Sequence, residues 1–149
     1  MKEGGSSGVS VQQLRDANAA LGLAATYVAS HQPFGSYRAD KLVGSLAGQI
    51  RRGHYAFAVR NGTIVGYVGW ALCRPDVAQA WIERGQAPTF EQSQEGDVVV
   101  PIMVVSDDRM ALRQLAATMR RHHGGKLYMG RRVLREANAV RTGRIGKKR

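Results

Sequence analysis

The clearest pattern along the chain is a pair of apolar, β-prone runs, HYAFAVR and TIVGYVGWALC, separated by Asn61-Gly62. Asn-Gly suits a two-residue hairpin turn because both central positions tolerate positive φ, so the pattern predicts an antiparallel hairpin. On either side the period lengthens to that of helices. Leu42, Val43, Leu46 and Ile50 mark one face of a helix over 38–52, with Gly53 as its stop. Pro75 suits the first turn of a short helix, PDVAQAWIERG, with Trp81 and Ile82 inward and Gly85 closing it.

Towards the amino end, Val11, Leu14, Leu21, Ala25 and Val28 fall near helical spacing, and Ser10 with Gln13 forms a capping box. The pattern predicts a helix from Ser10 to about Ser30, or two short ones, since Gly22 weakens its middle. HQPFGS, residues 31–36, then reads as a loop. Beyond a polar stretch ending at Gly96, residues 97–105 read as a strand. Ser106 or Asp107 then caps a helix to about His122 with Leu112, Leu115, Ala116 and Met119 on its inner face. KLYMGRRV is a last candidate strand. This order predicts an α+β domain with a mostly antiparallel sheet flanked by helices. Its expected bounds are 10–133, between a flexible Gly/Ser arm at 1–9 and a basic tail at 134–149.

At 149 residues the chain can bury one core without cross-links, and its single cysteine, Cys73, excludes a disulfide framework. The opening residues lack the apolar run of a signal peptide and no stretch is long enough to span a bilayer, so a cytoplasmic protein is expected. Charge changes the picture most. Residues 1–119 hold 11 Lys/Arg against 10 Asp/Glu, whereas residues 120–149 hold 11 against 1. A near-neutral domain with a basic end could meet an acidic protein surface, nucleic acid or anionic lipid. The candidate contacts are Arg120, Arg121, Arg131, Arg132, Arg135, Arg141, Arg144, Lys147, Lys148 and Arg149.

Candidate chemistry is sparse. His122 and His123 are adjacent, and on a helix they point about 100° apart, so no metal site is expected from them. No glycine-rich phosphate loop is present, and no cofactor is expected from the motifs. Gly66 and Gly69 are places where a ligand or another backbone could approach a strand. Arg109, Arg113 and Arg120 share a helix face that could hold an anion. His31, beside Ser30 in the Pro/Gly loop, is the candidate catalytic residue.

AGQIRRGHYAFAVRNGTIVGYVGWA, residues 47–71, resembles the toxin-activating lysine acyltransferases that mature repeats-in-toxin haemolysins. The resemblance extends from LGLAATYVAS at 21–30 through EGD at 95–97 and continues through ATMRR at 117–121; Gly69-Trp70-Ala71 stands where the family shows Ser-Trp-Ala. It implies a fold related to the N-acetyltransferase superfamily. It also implies transfer of a fatty acyl group from acyl carrier protein to a lysine ε-amine, which needs a base for the ammonium proton and a polar setting for the tetrahedral intermediate. In the family a loop histidine and a strand aspartate meet those needs. Here the histidine position falls on Phe34 and the aspartate position on Met103, neither of which transfers a proton.

His31 lies three residues before Phe34, and Asp107 or Asp108 follows the strand, so a displaced pair is conceivable only if both relocate. The family strand is aromatic-rich and polar, but here it reads VVVPIMVV; Pro101 cannot donate to a ladder, which argues for an edge, a bulge or splayed strands. The expectation is an acyltransferase-like fold with a degenerate catalytic site, acting as a non-catalytic binding or assembly component in a bacterial or phage complex or particle. Its partner would be a protein, a second copy of itself included. The alternatives are a lysine acyltransferase using His31 and an acyl carrier protein-linked donor, and a protein that binds nucleic acid through its basic tail.

Overall fold

A computed structural model describes residues 8–133 and 138–144. The elements are β1 (Val9–Gln12), α1 (Ala17–Ala29), a short 3-10 turn (Phe34–Ser36), α2 (Ala39–Arg52), β2 (Tyr55–Arg60), β3 (Thr63–Cys73) and α3 (Pro75–Arg84). A second 3-10 turn (Glu91–Ser93), β4 (Val98–Ser106), α4 (Arg109–His123), β5 (Leu127–Val133) and β6 (Asn138–Arg144) follow. The strands form a six-stranded sheet in the order β1-β2-β3-β4-β5-β6. β1, β2 and β3 pair antiparallel, as do β5 and β6, while β4 and β5 run parallel. The class is α+β with a mixed, mostly antiparallel sheet, as the element order predicts. The chain divides into two compact units, one holding the residues up to Gly69 with Met103–Thr118, the other Trp70–Ile102 with the residues from Met119 on.

In the first unit the predicted hairpin forms at Asn61-Gly62, both with positive φ (52° and 77°). A bulge between Ala58 and Val59 shifts its register. α2 buries Leu42, Leu46, Gln49 and Ile50 and stops at Gly53, whose φ of 76° is left-handed. Val43 is exposed, contrary to expectation; at about 100° round the helix from Leu42 it stands just beyond Ile50, at the margin of the buried stripe. α4 departs in the same way, with Ala111 and Leu115 buried and Leu112 exposed.

The amino end differs most from the expected helix start. Val9–Gln12 is a strand, with Val9 buried, Val11 half-buried, and Ser10 and Gln12 exposed. Two β-branched residues at period two outweigh the capping pattern once the open edge of β2 is available to pair with them. Ser10 therefore accepts a bond from Gln12 Nε2 (3.1 Å) instead of capping, and Gln13 Nε2 donates to the carbonyls of Gly53 (2.9 Å) and Tyr55 (2.7 Å). The true cap is Asp16, whose Oδ1 accepts from the N–H groups of Asn18 (2.9 Å) and Ala19 (3.1 Å). Val9, expected within the arm, thus belongs to β1, and residues 1–7 lie outside the described residues.

In the second unit Ala71, Cys73, Ala78, Ile82, Val98, Val100 and Met129 form one apolar cluster, with Val77, Trp81, Ile102 and Leu127 against it. α3 starts at Pro75 and ends at Gly85 (φ 67°), as predicted. Pro101 is buried inside β4, and the parallel pairing of β4 with β5 covers only Val98 and Val99. The ladder therefore ends before the residue that has no N–H to give it. Within the segment expected as a tail, Asn138–Arg144 is the edge strand β6, in register with β5 from Leu127↔Arg144 to Val133↔Asn138.

Candidate functional site

α1 ends in a hydrogen-bonded cluster of side chains. Tyr27 and His31 are four residues apart, so the helix brings their rings together, with centroids 4.6 Å apart. His31 Nε2 lies 3.1 Å from Asp107 Oδ1, and the Tyr27 hydroxyl donates to the same oxygen at 2.9 Å. Asp107 stands between β4 and α4, its own N–H bonded to the Val65 carbonyl (2.8 Å). Burial, and then the bond to Asp107 and its charge, raise the Tyr27 phenol above its ordinary value, so it remains a donor.

The other face of the imidazole is also engaged. Nδ1 lies 2.9 Å from the Tyr27 carbonyl and 3.1 Å from Ser30 Oγ, and Ser30 donates its hydrogen to that carbonyl at 2.6 Å. Both ring nitrogens thus face acceptors. A histidine base keeps one nitrogen on a carboxylate and the other open to the substrate, whereas here the second is turned into the helix end. Ser30, with its hydrogen committed to the backbone, is not set up as a nucleophile.

Asp108 caps α4, its Oδ1 accepting from Ala111 N–H at 2.9 Å, and Arg60 Nη1 reaches Asp108 Oδ2 at 2.7 Å. The Arg60 bond, and then the backbone N–H, hold the Asp108 carboxyl below the usual carboxylate range. A helix N-terminus attracts phosphate through its free N–H groups and dipole, but this one already carries two carboxylates.

Phe34 and Met103 are both buried apolar side chains. Phe34 is buried in the 3-10 turn with its ring edge-on to Tyr37 at 5.3 Å, and Met103 is 2% exposed within β4. Gly66 and Gly69 make room for the protein's own groups. A Cβ at Gly66 would press on Leu115 Cδ1 (3.0 Å) and the Val105 carbonyl (3.3 Å), and one at Gly69 would collide with Gln49. Gln49 is buried, accepts from the Tyr67 hydroxyl (2.6 Å) and donates to Ser45 (3.0 Å). His123 accepts from Trp70 Nε1 at 3.0 Å. Burial first, then the charges of His122 and Lys126, lower its pKa.

Of the basic contacts, Arg120 and Arg121 are exposed in the last turn of α4, Arg131 and Arg132 lie on β5, and Arg141 and Arg144 lie on β6. Arg135, Lys147, Lys148 and Arg149 lie outside the described residues. Among the described residues no group of three His, Cys, Asp or Glu side chains could hold a metal ion, and no helix is long and apolar enough to cross a membrane. Sequence reasoning named His31, Asp107 and Asp108 but missed Tyr27 and Arg60. The four-residue spacing of Tyr27 and His31 was a signal for the former, whereas Arg60 pairs with a residue 48 positions away.

No family model matches the chain, and no curated protein matches it either. Among solved structures, the chain is similar to the crystal structure of a GNAT-family acetyltransferase from Streptococcus agalactiae. The TM-score is 0.58 at 10% sequence identity, over 95% of this chain and 97% of that one. The fold is GNAT-like. At that identity the likeness speaks for the backbone arrangement, and the site must be argued from its own side chains. For this GNAT-like fold those side chains are an engaged imidazole, a capped helix start and two buried apolar residues at the positions the sequence resemblance marks.

Proposed function

We propose that the protein is an acyltransferase-like component that acts by binding and does not itself transfer acyl groups. The observation that carries this reading is the burial of Phe34 and Met103, which supply no proton acceptor where the resemblance to toxin-activating acyltransferases assigns the histidine and the aspartate. His31 does not replace them as it stands, because taking a substrate proton would require it to leave either the Tyr27 carbonyl or Asp107. A place in a bacterial or phage complex fits this reading, and purification of the native assembly from its host tests that setting. The decisive assay combines the purified protein, acylated acyl carrier protein and the products of neighbouring genes as acceptors. The expected result is no transfer above background, for wild type and His31→Ala alike.

One observation favours a second reading. His31 and Asp107 meet although 76 positions separate them, and this is the double relocation that a lysine acyltransferase built on His31 requires. Rotation of the ring away from the Tyr27 carbonyl, with Asp107 kept on Nε2, would free Nδ1 for an incoming ammonium. Turnover that His31→Ala abolishes would establish this enzyme and overturn the first reading.

A further inference from the structure

His31 presents Nε2 to Asp107 Oδ1 at 3.1 Å and Nδ1 to the Tyr27 carbonyl at 2.9 Å; Ser30 Oγ, 3.1 Å from Nδ1, gives its own hydrogen to that carbonyl. A neutral imidazole carries one ring hydrogen and the imidazolium two. Only the imidazolium therefore donates on both sides. The neutral ring keeps Asp107 only with a bare nitrogen facing the Tyr27 carbonyl. Turning the Ser30 hydroxyl towards Nδ1 satisfies that nitrogen but takes the hydrogen from the carbonyl. Two features favour the charged form: a carboxylate stands opposite it, and α1 has no basic residue in its last turn, where the helix dipole attracts a cation. About the ring, α1 contributes Tyr27, the β4–α4 junction contributes Asp107 and Asp108, and β2 contributes Arg60 through its pair with Asp108. Burial and the bond to Asp107 raise the Tyr27 phenol, and Arg60 holds the Asp108 carboxyl low, so neither changes charge where histidines titrate.

His31 also opens a segment that folds back on the end of α1. The N–H of Gly35 donates to the His31 carbonyl (2.9 Å), that of Ser36 to the Pro33 carbonyl (3.1 Å) and that of Tyr37 to the Phe34 carbonyl (3.1 Å). A Cβ at Gly35 would fall 2.7 Å from the Ala29 carbonyl oxygen, so the segment lies close against the helix end. Within it Phe34 is buried, while Gln32, Pro33, Gly35, Ser36 and Tyr37 are exposed. A segment held by one buried side chain and a few turn-type backbone bonds is the kind that opens locally without global unfolding. The bond from His31 to Asp107 joins its start to a part of the chain 76 positions away.

We propose that His31 is a pH-sensitive latch on this segment. As an imidazolium it ties the end of α1 and residues 31–37 to Asp107, and loss of one ring hydrogen releases the segment and uncovers Phe34. The inference goes beyond the proposed function and is independent of it, because its readouts need no acyl donor. The sign follows from the hydrogens. The latch is closed at low pH, where both ring nitrogens donate, and opens as pH rises through the titration of His31, within about pH 5–8.

Amide hydrogen exchange of the full chain, read by NMR as protection factors between about pH 5 and 8, tests the latch. Gly35 and Tyr37 report the segment, and Phe57 and Tyr67 in the hairpin report global opening. The ratio of segment to hairpin protection is expected to fall about tenfold from the acid to the alkaline end in the wild type. In His31→Gln the ratio is expected not to vary with pH. Asp107→Asn is expected to show at the acid end the ratio that the wild type reaches only at the alkaline end. If either variant does not fold, the wild-type profile and the other variant still decide. A flat wild-type ratio, a pH-dependent ratio in folded His31→Gln, or an Asp107→Asn profile equal to that of the wild type would each overturn the proposal.

Discussion

Two antiparallel pairs in this protein use the same device to opposite ends. In β2 and β3 the absent side chain of Gly69 leaves room for Gln49, which binds the hydroxyl of the buried Tyr67. In β5 and β6 the absent side chain of Gly130 leaves room for the ring of Tyr128, which stays half-buried. A polar group fixed in the interior has no water to fall back on, so its partner is obligatory, whereas one at the surface can exchange its partner for solvent or a ligand. The contact beside Gly69 is therefore tied to a buried hydrogen bond, whereas the one beside Gly130 involves a half-buried ring.

The sharpest way to break this comparison is to add the same methyl group to both pairs. Gly69→Ala forces Gln49 out of its bonds to Tyr67 and Ser45, and the expected loss of unfolding free energy is about 2–4 kcal/mol. Gly130→Ala meets only the end of a movable ring and should cost about 1 kcal/mol or less. Thermal and urea denaturation measure both, and equal losses would refute the distinction. Tyr67→Phe comes next. It leaves Gln49 Oε1 buried without its donor and should cost about 1–3 kcal/mol, part of which a Gln49→Leu replacement in the same chain should restore.

Smaller effects depend on pH. The pKa of His123 is lowered in the folded protein, so its neutral form is the native one. The unfolded chain takes up this proton first. Stability is thus intact above the unfolded histidine value and falls as pH drops from that value through the folded one. Urea midpoints across this range should show the loss, and His123→Leu should reduce it. Trp70 emission, read in a Trp81→Phe background, should change over the same range as His123 ceases to accept from the indole. The smallest effect concerns Asp108, whose carboxyl is held low mainly by Arg60. Its contribution is present above the unfolded carboxylate value and is lost as pH falls through the folded one. Arg60→Ala should move the Asp108 titration, followed by NMR, to higher pH.

Much of the fold was legible because its signals are local. Asn61-Gly62, Gly53, Gly85 and Pro75 each constrain the backbone within a turn of themselves, and each acts where its chemistry predicts. The amino-terminal strand was not legible. Ser10 and Gln13 suit a helix start equally well, and what decides against one is the open edge of β2, more than 40 residues further on. The edge strand β6 was missed for a related reason. Its composition, NAVRTGR, has little apolar content, and its backbone is ordered by pairing with β5. For the site, the sequence supplied the residue types, among them the apolar Phe34 and Met103.

By itself the sequence determined the hairpin, the helix stops, the class of the fold, the separation of charge and the apolar side chains at 34 and 103. These are set by backbone preferences within a few residues or by side-chain chemistry alone. Only the tertiary structure decided that His31 meets Asp107, that Arg60 meets the α4 cap, that Gln49 fills the gap beside Gly69, and that Asn138–Arg144 pairs with β5. The physical reason is that each of these depends on a register or packing contact between segments distant in sequence, where burial and pairing outweigh local preference.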